Sequence, residues 1–340
     1  MQRRSFGAVL VLAALAVVLS VPAAAQPASG APRLPDGTPD LQGVWDFRTL
    51  TPLQRPDDRA DQAELTAEEA AEIEAAAVQR AIEADRPSEI RTEPLPVGGN
   101  VGGYNNFWFD RGAGVVDDRR TSLIVDPPDG RLPETRPGVE RQGDGAEPAW
   151  PVRIRVGGIG ADGPEDRGVA ERCLLGFNTG PPIVPGGYNQ NIQIFQTGDH
   201  VVILNEMVHD SRIVPLDGRA PLPGGLRQWL GSSRGRWEGD TLVVETTNFT
   251  ANTASFNPSV VQSIGSGETL HLVERFSRLD EETLLYEYTV DDPAIFTRPF
   301  TVAVPMRRND EPMFEYACHE GNYGLLNILS GARAEEAEQQ

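Results

Sequence analysis

The second half of the chain is a succession of short β-type runs, and this periodicity constrains the fold more than any other feature. Residues 191–196, 200–214, 235–246, 269–279, 283–290, 300–306 and 313–319 are rich in β-branched and aromatic side chains. Turn signals such as Glu238-Gly239-Asp240 and Asp280-Glu281 separate them at short intervals. One strand-opening phrase recurs: Asp240-Thr241-Leu242-Val243-Val244-Glu245, then Glu282-Thr283-Leu284-Leu285-Tyr286-Glu287, with Glu268-Thr269-Leu270 beginning a third copy. Successive hairpins of a meander look like this. The pattern predicts a mainly β domain, an antiparallel meander forming a barrel, with a β-sandwich as the alternative.

The first half carries different signals. Residues 41–47 read as a first short strand, and residues 64–86 as the one helix. Thr66 and Glu69 form a capping box, the interior is Ala/Glu-rich, and Arg86-Pro87 stops it. Its apolar face is thin, which places it on the surface. A long Gly/Pro-rich stretch of loops follows to about residue 182, punctuated by short apolar runs such as Ser122-Leu123-Ile124-Val125. A polar tail begins near residue 333. Residues 26–340 therefore read as a single β-rich domain.

Residues 1–25 read as a signal peptide. Arg3 and Arg4 precede an unbroken small and apolar run over 7–21, and Ala23-Ala24-Ala25 supplies the small-x-small cleavage pattern. Cleavage there starts the mature chain near Gln26. The apolar run is short for a membrane span and Pro22 ends it, so no stable membrane association is expected afterwards. Arg3-Arg4-Ser5-Phe6 also matches the core of a twin-arginine signal, leaving two export routes open. Either route implies a periplasmic or secreted protein.

Charge and composition exclude several partners and chemistries. The formal net charge is −20, and losing Arg3 and Arg4 with the leader makes it −22. Such a field repels nucleic acid and anionic lipid. The chain has no lysine, so all 30 cationic side chains are arginine. A Schiff-base lysine, a pyridoxal-phosphate anchor and a P-loop lysine are thereby excluded. Only Cys173 and Cys318 are present; in an oxidising compartment a lone pair predicts a disulfide. The rival reading is a nucleophilic thiol at Cys318, beside His319.

Gly43-Val44-Trp45 resembles the Gly-x-Trp opening of lipocalin-like barrels and favours barrel over sandwich. Five longer phrases resemble an uncharacterised family of exported bacterial proteins. They are Thr38-Pro39-Asp40-Leu41-Gln42-Gly43-Val44-Trp45, Arg120-Thr121-Ser122-Leu123-Ile124-Val125-Asp126-Pro127-Pro128 and Asn205-Glu206-Met207-Val208-His209-Asp210. The others are Arg236-Trp237-Glu238-Gly239-Asp240-Thr241-Leu242-Val243 and Tyr316-Ala317-Cys318-His319-Glu320-Gly321-Asn322-Tyr323. The resemblance covers nearly all the mature chain. It implies export and one domain, and no particular reaction.

Two catalytic-looking motifs sit in the wrong local context. Gly158-Ile159-Gly160-Ala161-Asp162-Gly163 spells a dinucleotide loop, but Pro164-Glu165-Asp166 follows where a helix must open. Gly231-Ser232-Ser233-Arg234-Gly235 spells an esterase elbow, with Asp292 and His319 in the right order. The elbow needs a helix after the serine, and a hairpin pattern follows instead.

The candidate catalytic set is Glu206, His209, Arg212 and His319. On an unbroken strand over 200–214, Glu206 would share a face with Val202, Leu204 and Val208, where burial suits a carboxyl to acid/base work; the alternative is a strand end leaving the sheet, with Glu206 paired to an arginine. His209 and His319 are the acid or orienting groups and Arg212 an anion clamp. Glu274 lies among Leu270, Leu272 and Phe276, either facing the same lumen as Glu206 or paired with an arginine. Two clusters mix aromatics with carboxamides and suit a polar, ring-bearing ligand: Tyr104, Asn106, Trp108, Asp110 and Arg111, then Asn189 and Asn191. No cofactor and no metal are predicted; a zinc site built on His209 and His319 is the alternative. The functional expectation is an exported β-barrel-like protein that binds a small polar or aromatic molecule. Lysine-independent hydrolysis, elimination or isomerisation is the chemistry open to it. The alternative is a non-catalytic ligand-binding or envelope interaction module.

Overall fold

Alternating side chains along short strands build one large sheet, seen in a computed structural model that describes residues 30–87, 92, 109–143, 145, 147 and 149–339. Residues 1–25, where a signal peptide is expected, and Tyr104, Asn106 and Trp108 lie outside the described residues. The strands are β1 (Gly43–Asp46), β2 (Ile124–Asp126), β3 (Arg141–Gln142), β4 (Asn191–Gln196), β5 (His200–Asn205), β6 (Ser211–Pro215) and β7 (Ser232–Glu238). They continue as β8 (Thr241–Thr247), β9 (Phe256–Ser259), β10 (Gln262–Ile264), β11 (His271–Arg278), β12 (Thr283–Asp291) and β13 (Phe300–Asn309). The described residues also form two α-helices, α1 (Ala67–Ala84) and α2 (Tyr323–Glu338).

The main sheet is antiparallel, in the order β6-β5-β4-β1-β13-β12-β11-β8-β7, with β2 added to β13. The last strand lies beside the first: Trp45 pairs with Arg308 on one side and with Ile192 on the other. The sheet curls until its outer strands approach. Gly235 on β7 makes room for the β6 flank, since a Cβ there would sit 2.9 Å from Val214 Cγ1 and 2.6 Å from Leu216 Cδ2. No ladder joins β6 to β7, so the sheet is not a barrel closed by hydrogen bonds. Strands β3, β10 and β9 form a separate small sheet.

The concave side of the curl is a packed core. Trp45, Ile192, Ile203, Leu272, Phe276, Leu284, Tyr286, Tyr288, Phe300 and Val304 are all buried there. The Trp45 indole donates to the Leu41 carbonyl at 2.9 Å, and the Arg278 guanidinium stacks 4.7 Å from its ring. Arg278 in turn donates to the carbonyls of Asp40, Asp280 and Glu281. One charged pair crosses this apolar interior. Arg212 on β6 holds Glu274 on β11 through both terminal nitrogens, at 2.5 and 2.8 Å, and the Tyr286 hydroxyl donates to Glu274 at 2.8 Å. Strands β6 and β11 are not ladder neighbours, so this pair forms because the sheet curls.

Helix α1 is capped as its sequence requires: Thr66 Oγ1 accepts from the Glu69 amide and Glu69 from the Thr66 amide. Ala70 is its one buried residue, so it lies on the surface as expected. Three expectations need correction. The run 200–214 is not one strand, because a short 3-10 turn with left-handed Val208 and His209 (φ 60° and 45°) divides it into β5 and β6. Apolar Met207 and Val208 sit in the turn because they pack against Cys173 in a second small core. Residues 313–319 are irregular rather than extended. The polar tail is the end of α2, which buries no residue and is therefore invisible to a search for an amphipathic face.

Candidate functional site

The turn between β5 and β6 organises the site. Asn205 closes it by donating from its backbone amide (2.8 Å) and from Nδ2 (3.3 Å) to the Asp210 carbonyl. This lifts Glu206 out of the sheet to the rim, half-buried, and not onto an apolar strand face. There Glu206 Oε2 accepts from the Asn191 amide at 3.1 Å and from Asn191 Nδ2 at 2.8 Å. Asn191 is fixed from the other side by Asn309 Nδ2, which donates to its oxygen at 3.0 Å. Glu206 Oε1 has no hydrogen-bond partner among the described residues.

A cleft of about 540 Å³ opens beside this carboxylate. Its floor is the 188–191 segment, one wall carries Arg48 and Asp110, and the other carries Phe314, Glu315 and Tyr316. Asn178 shapes the floor by donating to the carbonyls of Tyr188 and Asn189, both at 2.9 Å, and Asn189 sits in the left-handed region (φ 50°). Arg48 bridges Asp46 and Asp110, so the cationic wall is internally neutralised. Tyr188 packs edge-on against Phe109 and Phe177, and Arg111 stacks on the outer face of Phe109 at 4.5 Å. Phe314 is 78% exposed, an aromatic face standing in solvent at the cleft mouth.

Four residues singled out in the sequence thus share one cleft: Glu206, Asp110, Asn189 and Asn191. His209 is exposed next to it, its Nδ1 3.1 Å from the Tyr316 carbonyl. His319 is exposed on the turn beyond Cys318. Arg212 is elsewhere: both its terminal nitrogens are committed to Glu274 in the sheet interior, which removes it as an anion clamp. Glu274 is likewise the structural partner of that arginine and does not share a lumen with Glu206. Sequence reading missed Arg48, Phe314 and Tyr316. Arg48 follows a strand without any motif, and the side-chain pattern of 314–316 is that of a strand.

The disulfide expectation holds. Cys173 and Cys318 are bonded, with Cα atoms 5.8 Å apart, and the described residues hold no free cysteine. The bond ties the 313–319 wall to the loop beneath the β5–β6 turn. The glycine triplet 158–163 is a turn whose Asp162 and Gly163 amides donate to Asp166. Ser233 lies within β7, hydrogen-bonded to Thr246 at 2.9 Å, and Asp292 is held by Ser255 and Thr269. Neither geometry is that of its motif. Among the described residues no group of three or more His, Cys, Asp or Glu could hold a metal ion.

Asp210, at the end of the turn, has an unusual proton affinity. Burial pushes its carboxyl up to about 6, against the opposing pull of the Gly176 amide and of the Arg155 and His209 charges. A carboxyl whose pKa is raised in the folded state binds more protons folded than unfolded between about pH 4 and 6, so stability falls as pH rises through that window. We expect Asp210→Asn to remove this slope. Relative to the variant, the wild-type protein should lose about 2–3 kcal/mol between pH 4 and pH 7.5. Urea unfolding of both proteins at the two pH values measures it, and parallel pH profiles would refute it.

Comparison of the chain with protein-family models, with curated proteins and with solved structures gave no match.

Proposed function

We propose that this is an exported, lipocalin-like barrel protein that takes a small polar or aromatic molecule into the cleft beside Glu206. The observation that carries the reading is convergence: residues from three sequence-distant segments, each chosen for its side-chain chemistry, line one cleft of about 540 Å³. That volume lies in the range of small-molecule sites, and carboxamide edges with aromatic faces suit sugars or phenolics. The N-terminal leader pattern and the likeness to exported bacterial proteins support export to the periplasm or beyond. Where the bound molecule is transformed, Glu206 is the base, its Oε2 oriented by Asn191 and its Oε1 available to substrate. His209, beside the cleft wall at Tyr316, and His319 are then the acid or orienting groups, although neither lines the cleft. The reaction class is hydrolysis, elimination or isomerisation.

The test is a thermal-shift screen of sugars and phenolics on the mature protein, followed by variants against any hit. Asn191→Ala and Phe314→Ala should each weaken binding about tenfold. Glu206→Gln should lower any turnover by at least about a hundredfold. Its stability should move by less than about 1 kcal/mol, because glutamine still offers an oxygen to Asn191. Binding without turnover assigns the alternative, a ligand-binding or envelope interaction module. Wild-type binding in all three variants moves the site away from this cleft.

A further inference from the structure

The cleft beside Glu206 has a neighbour on each side. Toward α1 it adjoins a groove of about 710 Å³, and the two share Arg48 and Asp110. Past its other wall it adjoins a hollow of about 340 Å³, and the two share Tyr188 and Tyr316. The boundaries differ in kind. Arg48 is ion-paired with Asp110 and Asp46, so an apolar group passing that way displaces water from charges and returns no hydrogen bond. The other boundary is a pair of aromatic side chains, which offer apolar faces to such a group.

The hollow is apolar surface that the chain leaves uncovered. Val156, Phe177, Met207 and Val208 line it, and Phe177, Tyr188 and Tyr316 are the partly buried outer layer of the small core around Cys173. Its Glu171 and Asn322 side chains are committed within the chain. Glu171 accepts from the Arg167 guanidinium and the Gly168 amide. Asn322 donates to the Glu171 carbonyl at 2.7 Å and accepts from the Leu325 amide at 3.2 Å. Recognition in the hollow rests mainly on shape and dispersion, whereas the cleft offers Glu206 Oε1 to a donor. An apolar cavity of about 150 Å³ already holds a benzene ring, so the hollow has room for a ring or a short alkyl chain.

We propose that the ligand of the Glu206 cleft is amphipathic: a hydroxyl-bearing end meets Glu206, and an apolar arm passes Tyr188 and Tyr316 into the hollow. This deepens the cleft reading and rests on it. It also places the arm away from the α1 groove, where Val78 and Ile82 would otherwise receive it.

The probes are phenol, 4-ethylphenol and 4-butylphenol, titrated calorimetrically onto the mature protein. Affinity should rise about two- to fourfold per added carbon. Equal affinities along the series would overturn the arm and leave the cleft standing. A Cβ at Gly321, on the rim of the hollow, would meet only the Ala317 carbonyl, at 3.8 Å, so Gly321→Phe can fill the hollow with its ring. In that variant the dependence on chain length should vanish, and its survival would overturn the proposal. Asn191→Ala tests the cleft separately, and should weaken all three probes by the same factor. Wild-type binding in Asn191→Ala, or no binding by any of the three probes, removes the cleft reading and the proposal with it. Should Gly321→Phe fail to fold, nuclear Overhauser contacts of bound 4-butylphenol in the wild-type protein decide. Contacts from the butyl methyl group to the Met207 or Val208 methyls support the arm; contacts to Val78 or Ile82, or to neither pair, overturn it.

Discussion

Glu274→Gln should cost the protein about 3–5 kcal/mol of unfolding free energy, a loss that urea denaturation will read directly. The reason is the company the carboxylate keeps. It is fully buried, accepts two hydrogen bonds from Arg212 and a third from Tyr286, and sits among Leu272, Phe276 and Leu284. Glutamine would leave the Arg212 charge uncompensated in an apolar interior. Burial, and then the neighbouring Glu274 charge, pushes the Tyr286 phenol well above its usual range, so it stays a donor throughout the accessible pH range. A triple change to Arg212→Met, Glu274→Leu and Tyr286→Phe removes charges and hydroxyl together and should recover most of the loss. Equal destabilisation by the single and triple changes would show that packing, and not an uncompensated charge, sets the cost.

Breaking the Cys173–Cys318 bond should be comparably severe. The bond closes a loop of 145 residues, for which loop entropy gives about 4–5 kcal/mol. Among the described residues the chain after β13 is also tied where Asn322 donates to the Glu171 carbonyl, Arg333 to those of Ala161 and Asp162, His209 meets the Tyr316 carbonyl, and Tyr316 packs against the core of Cys173, Met207 and Val208. Reduction therefore should free the Phe314–Tyr316 wall as well as lower global stability. A Cys173→Ser, Cys318→Ser protein is expected to lose cleft binding before it loses the sheet. Far-ultraviolet circular dichroism and ligand titration on the same sample separate the two. Full ligand affinity in the reduced protein would refute the role given to that wall.

The sheet was legible because its strands alternate. Residues 191–196, 283–290 and 300–306 read correctly from side-chain period alone, and Thr66 with Glu69 announced α1. Legibility failed where a side chain answers to distant packing. Met207 and Val208 look like strand residues and lie in a turn, because the second core around Cys173 takes them. That single misreading put Glu206 on an apolar face it does not occupy, although the residue itself belongs to the cleft. Arg212 is illegible for the opposite reason: its partner lies 62 residues away on a strand that only curvature brings near. Asp110, Asn189 and Asn191 were legible as recognition chemistry because amides and acids beside aromatics are readable one residue at a time.

Strand directions give the unpaired junction of β6 and β7 a reason that packing alone does not supply. Traced from β6 to β7, every ladder is antiparallel, so direction reverses at each of the steps through β5, β4, β1, β13, β12, β11 and β8. Nine strands are an odd number, and the two outermost consequently run the same way. Antiparallel pairing at the junction is forbidden by parity, however closely the edges approach. Side-chain contact between Gly235 and the Val214–Leu216 flank is what remains to hold it. One strand more or one fewer would set the outer strands antiparallel; with nine, only a parallel ladder could close the ring, and none joins them.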